Sequence, residues 1–330
     1  MVESTPPMEA DVTVVILTYG RRGHHVARVV QALNDSGSRP KSIIVVDNGS
    51  FDPIEPSSEP GRIPLRRVDM GGNLGSAGGY RAGLKEASGT AGLIWLLDDD
   101  NCPTPNCLAR LVERRQDLGE NSIAVAFRPE RSEFQEIVRR GGSRPIRRNG
   151  FMAFHWRGTP GGSASDVPAR NGCLPLAYFG YGGALLPSAV VQKGILPNQE
   201  MFVYHDDSDW SYRLAKAGFR AWLVPDAIVA DLEVPYGGQP VSKVSPLFSH
   251  HMDFRRAWFA IRNRAWVERH LGFGGWEWFL NAALWVVLQG LRSVLFERRP
   301  LQAWARARLA WRAFRAGADL ELTLPPETDR

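Results

Sequence analysis

The sequence predicts an α/β chain built on a doubly wound, mostly parallel sheet, with a helical extension at its C-terminal end. Short apolar, β-branched runs recur at 12–18, 42–50, 65–69, 92–100 and 122–127. Helical patterns separate them, as expected of strands joined by helical crossovers. From residue 253 the strand-like runs stop and the text turns helical, rich in tryptophan and arginine.

Each element has its own signal. "VTVVILT" (12–18) is bounded by Tyr19-Gly20, and Val26, Val29, Val30 and Leu33 follow at helical spacing. "SIIVVDNGS" (42–50) reads as a buried strand ending in an acid and a turn. A third strand fits 65–69, and the glycine stretch "MGGNLGSAGGY" (70–80) then leads into a helix reaching about Ser88. "GLIWLLDDD" (92–100) is an apolar strand ending in carboxylates, followed by a helix over 104–117 and a strand over 122–127. Between 128 and 172 Gly, Pro and Ser break every period, which predicts a long loop or excursion. "YFGYGGALLP" (178–187) resumes structure, with a helix through Val190 and an acidic patch at 205–209. "FRAWLVPDAIVADL" (219–232) reads as a strand, a proline-marked turn and a second strand. The organisation expected is a flexible N-terminus (1–10), a main domain (11–250) and a helical C-terminal region (251–330).

Composition narrows the class. With 44% hydrophobic, 23% charged and 10% aromatic residues the chain is globular, not generally disordered. Cys102, Cys107 and Cys173 are an odd set without a C-x-x-C pair, which argues against a disulfide framework or a structural zinc site. The polar first ten residues are unlike a signal peptide, so a reducing, cytoplasmic setting is expected.

The net charge of +5 is unevenly placed. Residues 255–315 hold twelve arginines, no lysine, three acids and seven of the eleven tryptophans. Trp276 to Phe296 is apolar but interrupted, and its longest clean run, Ala282 to Leu288, falls short of the roughly 20 residues that span a bilayer. Trp304, Ala307, Trp311 and Phe314 follow at 3-4-3 spacing beside Arg308, Arg312 and Arg315. Such an amphipathic stripe suits an anionic membrane surface; the competing reading is a helix capping the main domain. No nucleic-acid-binding motif accompanies the charge, so nucleic acid is not an expected partner.

In doubly wound sheets ligands sit beyond the carboxyl ends of the strands. Asp47, Asn73 and Asp98 to Asp100 all fall at such ends. In extended chain Asp98 and Asp100 point one way and Asp99 the other, and adjacent carboxylates suit a hard cation, Mg²⁺ or Mn²⁺. Asp47 could accept from a ribose or base, or could simply close an Asp-Asn-Gly-Ser turn. Gly72, Gly75 and Gly78 fit neither a dinucleotide fingerprint nor a Walker loop. Either the backbone passes close under a ligand, with Asn73 offering donor and acceptor, or a helix packs tightly on the sheet. In "VYHDDSDWSYR" (203–213) a helix would put Asp206 and Asp209 on one face and Asp207 elsewhere. Local reading does not choose among them for a general base; His205 and Trp210 lie alongside.

In their order and spacing, "VVILTYGR", "VVDNGS", "NLGSAGGY", "WLLDDD", "GGALLP", "HDDSDWSYR" with "AGFR", and "AIRNRAW" resemble the inverting family 2 glycosyltransferases of GT-A fold, over roughly 11–270. "NLGSAGG" with "WLLDDD" looks most like bacterial galactofuranosyltransferases and rhamnosyltransferases, which build cell-wall polymers on polyprenyl-diphosphate carriers. The resemblance implies a nucleotide-sugar donor, best UDP-galactofuranose with dTDP-rhamnose as alternative, and a lipid-linked saccharide acceptor. Thr18 and Asp47 would line the nucleoside pocket, with Asn73, Gly75 and Gly78 facing the donor. Asp98, Asp99 and Asp100 would hold the nucleotide diphosphate, Asp98 and Asp100 through Mg²⁺ or Mn²⁺. Asp207 takes the family's catalytic-base position, with Asp206, Asp209, His205 and Trp210 on the acceptor side or behind it. Arg262 and Asn263 occupy the late R-N motif, near the diphosphate or packing under the site. Where the family often supplies a histidine metal ligand this chain has Asp231; Asp231, or His250 or His251, would complete the set. The enzyme would work in the cytoplasm, peripherally on the inner face of the cell membrane.

Two other classes fare worse. A nicotinamide dehydrogenase needs a phosphate-binding fingerprint at 18–24, and "TYGRRGH" lacks it. A non-catalytic lipid- or nucleic-acid-binding protein would leave two aspartate clusters idle.

Overall fold

The computed structural model describes residues 8–143, 148–157, 167–233, 244–249 and 251–325. The chain forms two compact units: Met1–Arg144 with Ser163–Gln199 and Trp210–Gly238, and Pro145–Gly162 with Glu200–Asp209 and Gln239–Arg330. The division differs from a cut near residue 250, because two internal segments join the C-terminal helices.

The first unit carries the sheet. Its strands are β1 (Met8–Gly20), β2 (Ser38–Ser50), β3 (Leu65–Asp69), β4 (Leu93–Asp98), β5 (Asn101–Pro103), β6 (Ser122–Phe127), β7 (Leu174–Leu176), β8 (Ala184–Pro187) and β9 (Arg220–Asp231). They run in the order β3-β2-β1-β4-β8-β6-β9-β5, with β7 also on β9. The pairs β3-β2, β2-β1, β1-β4 and β6-β9 are parallel, while β8 enters antiparallel between β4 and β6. Helices cover both faces, as the strand alternation demands. Val14 and Ile16 pack with Val26 and Val29 of α1 (Gly23–Asn34) and Leu108 and Leu111 of α3 (Cys107–Leu118). Val15 points the other way, with Tyr80 and Leu84 of α2 (Gly75–Ala87).

Helix α2 begins inside the glycine stretch. A Cβ on Gly79 would overlap Leu17, and one on Gly83 would overlap Val15 and lie 2.8 Å from Val46 Cγ2. Close helix-on-sheet packing therefore accounts for that part of the glycine content.

The 128–172 excursion contains α4 (Ser132–Arg140), whose residues alternate by helical rather than loop chemistry. The expected break at Pro225 is absent as a turn: β9 stays one strand, and the proline coincides with a register irregularity against β6. The short strand β5 was not foreshadowed, since its three residues pair only antiparallel with the end of β9. Residues 1–7 of the expected flexible N-terminus lie outside the described residues, and β1 starts earlier than residue 12. A short helix α5 (Ala189–Gln192) and the longer α6 (Asp206–Lys216) complete the middle of the chain.

In the second unit α7 (Phe254–His270), α8 (Gly275–Glu297) and α9 (Pro300–Ala318) enclose a core of Phe259, Trp278, Trp285 and Phe314. Phe151 inserts among them, edge-on to both Trp285 and Phe314. The expected stripe is thereby split: Phe314 is fully buried whereas Trp304 is 65% exposed. Helix α8, with a mean hydropathy of 1.5 over an 18-residue window, is by length and composition apolar enough to cross a membrane, unlike the short clean run read from sequence.

Candidate functional site

Parallel pairing brings three expected residues to one edge of the sheet. Thr18 is in register with Asp47, and Leu17 with Asp98. The chain then turns after β4 instead of remaining extended, and the three carboxylates take separate partners. The Asp98 backbone N–H donates to Asn101 Oδ1 (3.1 Å), fixing that turn. The Asp98 carboxylate receives the Tyr80 hydroxyl at 2.7 Å and lies 3.4 Å from Arg128 Nη1. Burial and the Asp98 charge together push the Tyr80 phenol well above its ordinary range, so it stays a donor.

Asp99 is buried, accepting from Thr18 Oγ1 (2.9 Å) and Arg22 Nε (2.8 Å). Burial lifts its carboxyl to about 7, opposed by Arg22 and Thr18. Asp100 lies 3.2 Å from Arg22 Nη2, and Asn101 Nδ2 donates to its Oδ1 at 3.1 Å. Burial, and next the charge of Asp98, raise its affinity for a proton.

Backbone chemistry shapes the ground beside the carboxylates. A Cβ on Gly182 would collide with Asn101 Oδ1 and Asp98 Oδ2 and stand 2.6 Å from Arg128 Nη1. Only a bare backbone admits these three polar groups together.

Asp231 does not present free oxygens to a cation. Arg128 Nε donates to its Oδ1 at 2.7 Å, Arg128 Nη2 reaches the same oxygen, and Arg131 Nε donates to Oδ2 at 2.7 Å. The expected oxygen-ligand role is corrected accordingly: the carboxylate is spent on holding two guanidinium groups. His251 belongs to the second unit and His250 lies outside the described residues. Among the described residues no three His, Cys, Asp or Glu side chains form a metal cluster. The donor chemistry nevertheless fits a hard cation at Asp98 and Asp100. Asp100, whose proton affinity is raised by burial and then by the neighbouring Asp98 charge, and Asp98 itself suit Mg²⁺ or Mn²⁺ when phosphate oxygens supply the remaining ligands.

Asp47 is committed to its own turn, as the alternative reading of "DNGS" had it. Its Oδ1 accepts from Gly49 N (3.1 Å) and Ser50 N (2.7 Å), and Oδ2 pairs with Arg67 Nη2 at 2.7 Å. Asn73 Oδ1 accepts from Gly75 N (2.8 Å) and Asn48 Nδ2 (3.2 Å), and its residue is exposed. Gly75, at φ +73°, opens α2 in a conformation that favours glycine, and Gly78 lies buried in the helix.

The second aspartate group opens α6 and belongs to the second unit. Asp206 and Asp209 are buried together and Asp207 is less so, as helical spacing implies. Asp207 Oδ1 accepts the Ser208 N–H at 2.6 Å. The loop before it is held unusually: Phe202, Tyr204 and His205 all have positive φ, at 64°, 66° and 57°. Asn263 holds it there, its Nδ2 lying 2.8 Å from Met201 O, 2.9 Å from Val203 O and 2.8 Å from Tyr204 O. Burial, with Arg264 adding to it, drives the His205 imidazolium down to about 3, so the ring is neutral.

Two expected residues take the packing side of their alternatives. Arg262 is fully buried, donating to Asn263 Oδ1, Glu200 O, Met201 O and Thr323 O, which leaves no route to a donor diphosphate. It packs under the loop, the other option for the R-N motif. Trp210 is fully buried too, its indole N–H donating to Ile195 O (2.8 Å) and its ring tilted against Tyr181, which fits the reading behind the acceptor side and not a face toward it.

Sequence reasoning missed Arg22, Arg128, Tyr80 and Asn101. Arg22 and Arg128 stand just after β1 and β6, so the strand-end rule that found the aspartates would have found them had it been applied to cations.

Residues 13–166 match the family described as Glycosyl transferase family 2. The chain is similar to galactofuranosyltransferase GlfT1 of Mycolicibacterium smegmatis, 28% identical over 214 residues, covering 63% of this chain and 66% of that one, just under two thirds of the relative's length. It is similar also to the N-acetylglucosaminyl-diphospho-decaprenol L-rhamnosyltransferase of Mycobacterium tuberculosis, 26% identical over 317 residues, covering 90% of this chain and 96% of the relative. Among solved structures it resembles GalNAc-T7 with UDP, GalNAc and Mn²⁺, with a TM-score of 0.54 at 13% identity over 93% of this chain and 56% of that one. The family resemblance and the GT-A fold read from the motifs are borne out.

Proposed function

Since residues 13–166 of this glycosyltransferase form a family 2 domain, we propose that the enzyme moves a sugar from a nucleotide-sugar donor, UDP-galactofuranose by preference, to a hydroxyl of a polyprenyl-diphosphate-linked saccharide, with inversion. The observation that carries this reading is the turn after β4. There Asp98 and Asp100 stand at the carboxyl edge of parallel strands with Arg22 and Arg128 as flanking cations.

In the reaction Asp207 takes the proton of the acceptor hydroxyl as that oxygen attacks the anomeric carbon from the face opposite the nucleotide. The bond from that carbon to the diphosphate oxygen breaks, and its electron pair leaves with the nucleotide. Mg²⁺ or Mn²⁺ held by Asp98 and Asp100 would supply Lewis-acid stabilisation of that charge. Arg22 and Arg128 keep the carboxylates placed, and Asn73 with the open backbone at the start of α2 faces the sugar nucleotide. The relatives' names, a galactofuranosyltransferase and a rhamnosyltransferase acting on a diphospho-decaprenol compound, support this substrate class. The longer match to the rhamnosyltransferase favours dTDP-rhamnose as the alternative donor. A lipid-linked acceptor places the enzyme in the cytoplasm, peripherally at the inner face of the cell membrane.

Titration calorimetry with UDP and dTDP, with and without Mn²⁺, tests the donor site. Metal-dependent binding of one of them is expected; absence of binding to either overturns the reading. Nucleotide release from UDP-galactofuranose, dTDP-rhamnose and UDP-glucose then identifies the sugar.

A further inference from the structure

Helix α8 is apolar on both faces. Its buried face carries Trp278, Ala282, Trp285 and Val286, with Asn281, Gln289 and Ser293 among them. Its exposed face carries Leu284, Val287, Leu291, Val294 and Leu295, a stripe with i, i+3 and i+4 spacing. A helix on a water-soluble surface keeps its outward face polar. The inward polar groups are satisfied: Asn281 Nδ2 donates to Asn149 O (2.8 Å), Asn281 Oδ1 accepts from Trp156 N (2.8 Å), and Gln289 Oε1 accepts from Ser245 N (3.0 Å). The orientation is therefore fixed by hydrogen bonds, and the apolar stripe is its consequence.

The same side chemistry continues around the α8–α9 turn. Leu295, at 68% exposure, and Leu301, at 86%, stand on either side of Arg298 and Arg299, themselves exposed. Arg292 in α8 and Arg308 in α9 add exposed guanidinium groups, Arg308 over the ring of the exposed Trp304. Exposed apolar surface rimmed by polar side chains, here arginines with the half-buried Glu297 among them, marks an interaction surface. Leucine and valine at the centre, with arginine and tryptophan at the rim, match the layering of hydrocarbon, interface and anionic headgroup.

We propose that the exposed face of α8 and the tip of the α8–α9 hairpin insert into the surface of an anionic lipid bilayer, with α8 lying in the interface and not crossing it. The proposal rests on the functional reading above in taking a membrane as the partner, but it stands on residues outside the donor site. Crossing is disfavoured because Asn281, Gln289 and Ser293 already bind within the protein, and because Arg292 shares the exposed face. The inserting residues are the stripe from Leu284 to Leu295 and Leu301, not the Trp304–Phe314 stripe read from sequence.

Vesicle co-sedimentation of the full chain tests this, without donor or acceptor. The wild-type protein is expected to partition onto vesicles of phosphatidylcholine with phosphatidylglycerol, and to release as salt rises. The double variant Val287→Glu with Leu291→Glu is expected to lose roughly tenfold or more of that partition, given the cost of placing charge below the headgroups. Equal partition of variant and wild type overturns the proposal. So does a wild-type dimer in lipid-free sedimentation that the variant dissolves, because the face would then join two copies. Should the variant not fold, brominated lipids serve with the wild type: quenching of tryptophan emission is expected, and its absence refutes insertion. Donor binding by calorimetry is read separately, so loss of the transferase reading and loss of membrane insertion give different patterns.

Discussion

Replacing Gly182 by alanine adds one methyl group at the point where three polar groups of the site converge. Its carbon would collide with Asn101 Oδ1 and Asp98 Oδ2 and sit 2.6 Å from Arg128 Nη1. Those side-chain ends must retreat by about 1 Å to restore van der Waals distance, and misplacement of that size in a reaction site costs about 100-fold in rate. Retreat of Asn101 loosens the 3.1 Å bond that holds the Asp98 backbone, and retreat of Arg128 lengthens its 3.4 Å pair with Asp98. Overpacking of this kind costs about 1–3 kcal/mol in stability, so the chain should still fold. The assay is nucleotide release under steady-state conditions, with circular dichroism melting as the folding control. A fall of about 100-fold in kcat/KM, about 2.7 kcal/mol of transition-state stabilisation, is expected alongside a modest drop in Tm. Wild-type turnover in a folded Gly182→Ala protein would show that Asp98, Asn101 and Arg128 do not frame the reacting diphosphate.

Four further outcomes are expected. Asp207→Asn should lower turnover by about 10²–10⁴-fold while leaving UDP affinity, measured by calorimetry, unchanged; turnover near wild type would assign the base elsewhere. Asn263→Ala removes the amide beside three loop carbonyls, so kcat should fall with UDP affinity retained, and stability should drop by about 1–3 kcal/mol in urea titration; weakened UDP binding with intact kcat would contradict the loop-holding role. Glu268, buried between Arg264 Nε (2.5 Å) and Trp278 Nε1 (2.7 Å), has its carboxyl pushed up to about 7, chiefly by burial. A raised acid contributes stability that is full below its unfolded value of 4.5 and is lost as pH rises through about 7. The Tm of Glu268→Gln relative to wild type should therefore climb between pH 5 and 8 by thermal melting, and a flat difference would refute the sign. Gly79→Ala should destabilise by about 1–3 kcal/mol through overlap with Leu17, read as a lower urea midpoint at constant slope.

Much of the sheet was legible before any coordinates because buried parallel strands are local text. "VTVVILT", "SIIVVD" and "LIWLLD" can hide their side chains only between two helical layers, and their alternation with helices sets β1, β2 and β4 in parallel. The rule that ligands gather at strand ends then located Thr18, Asp47 and the Asp98–Asp100 run without knowledge of their contacts. What each of those groups does was decided by neighbours far along the chain. Asp99 turns to Thr18 and Arg22, and Asp231 to Arg128 and Arg131, over sequence separations of 77 to 103 residues. No local pattern states such pairings, because a carboxylate's partner depends on which strand ends become adjacent. The same holds for Arg262, whose charge reads as a ligand contact in text and whose burial beneath the 201–204 loop makes it a scaffold. Helix α8 shows the limit from the other side. Composition established an apolar helix, but only packing revealed that its amides face inward and its leucines outward, since facing is a property of the neighbours a helix finds.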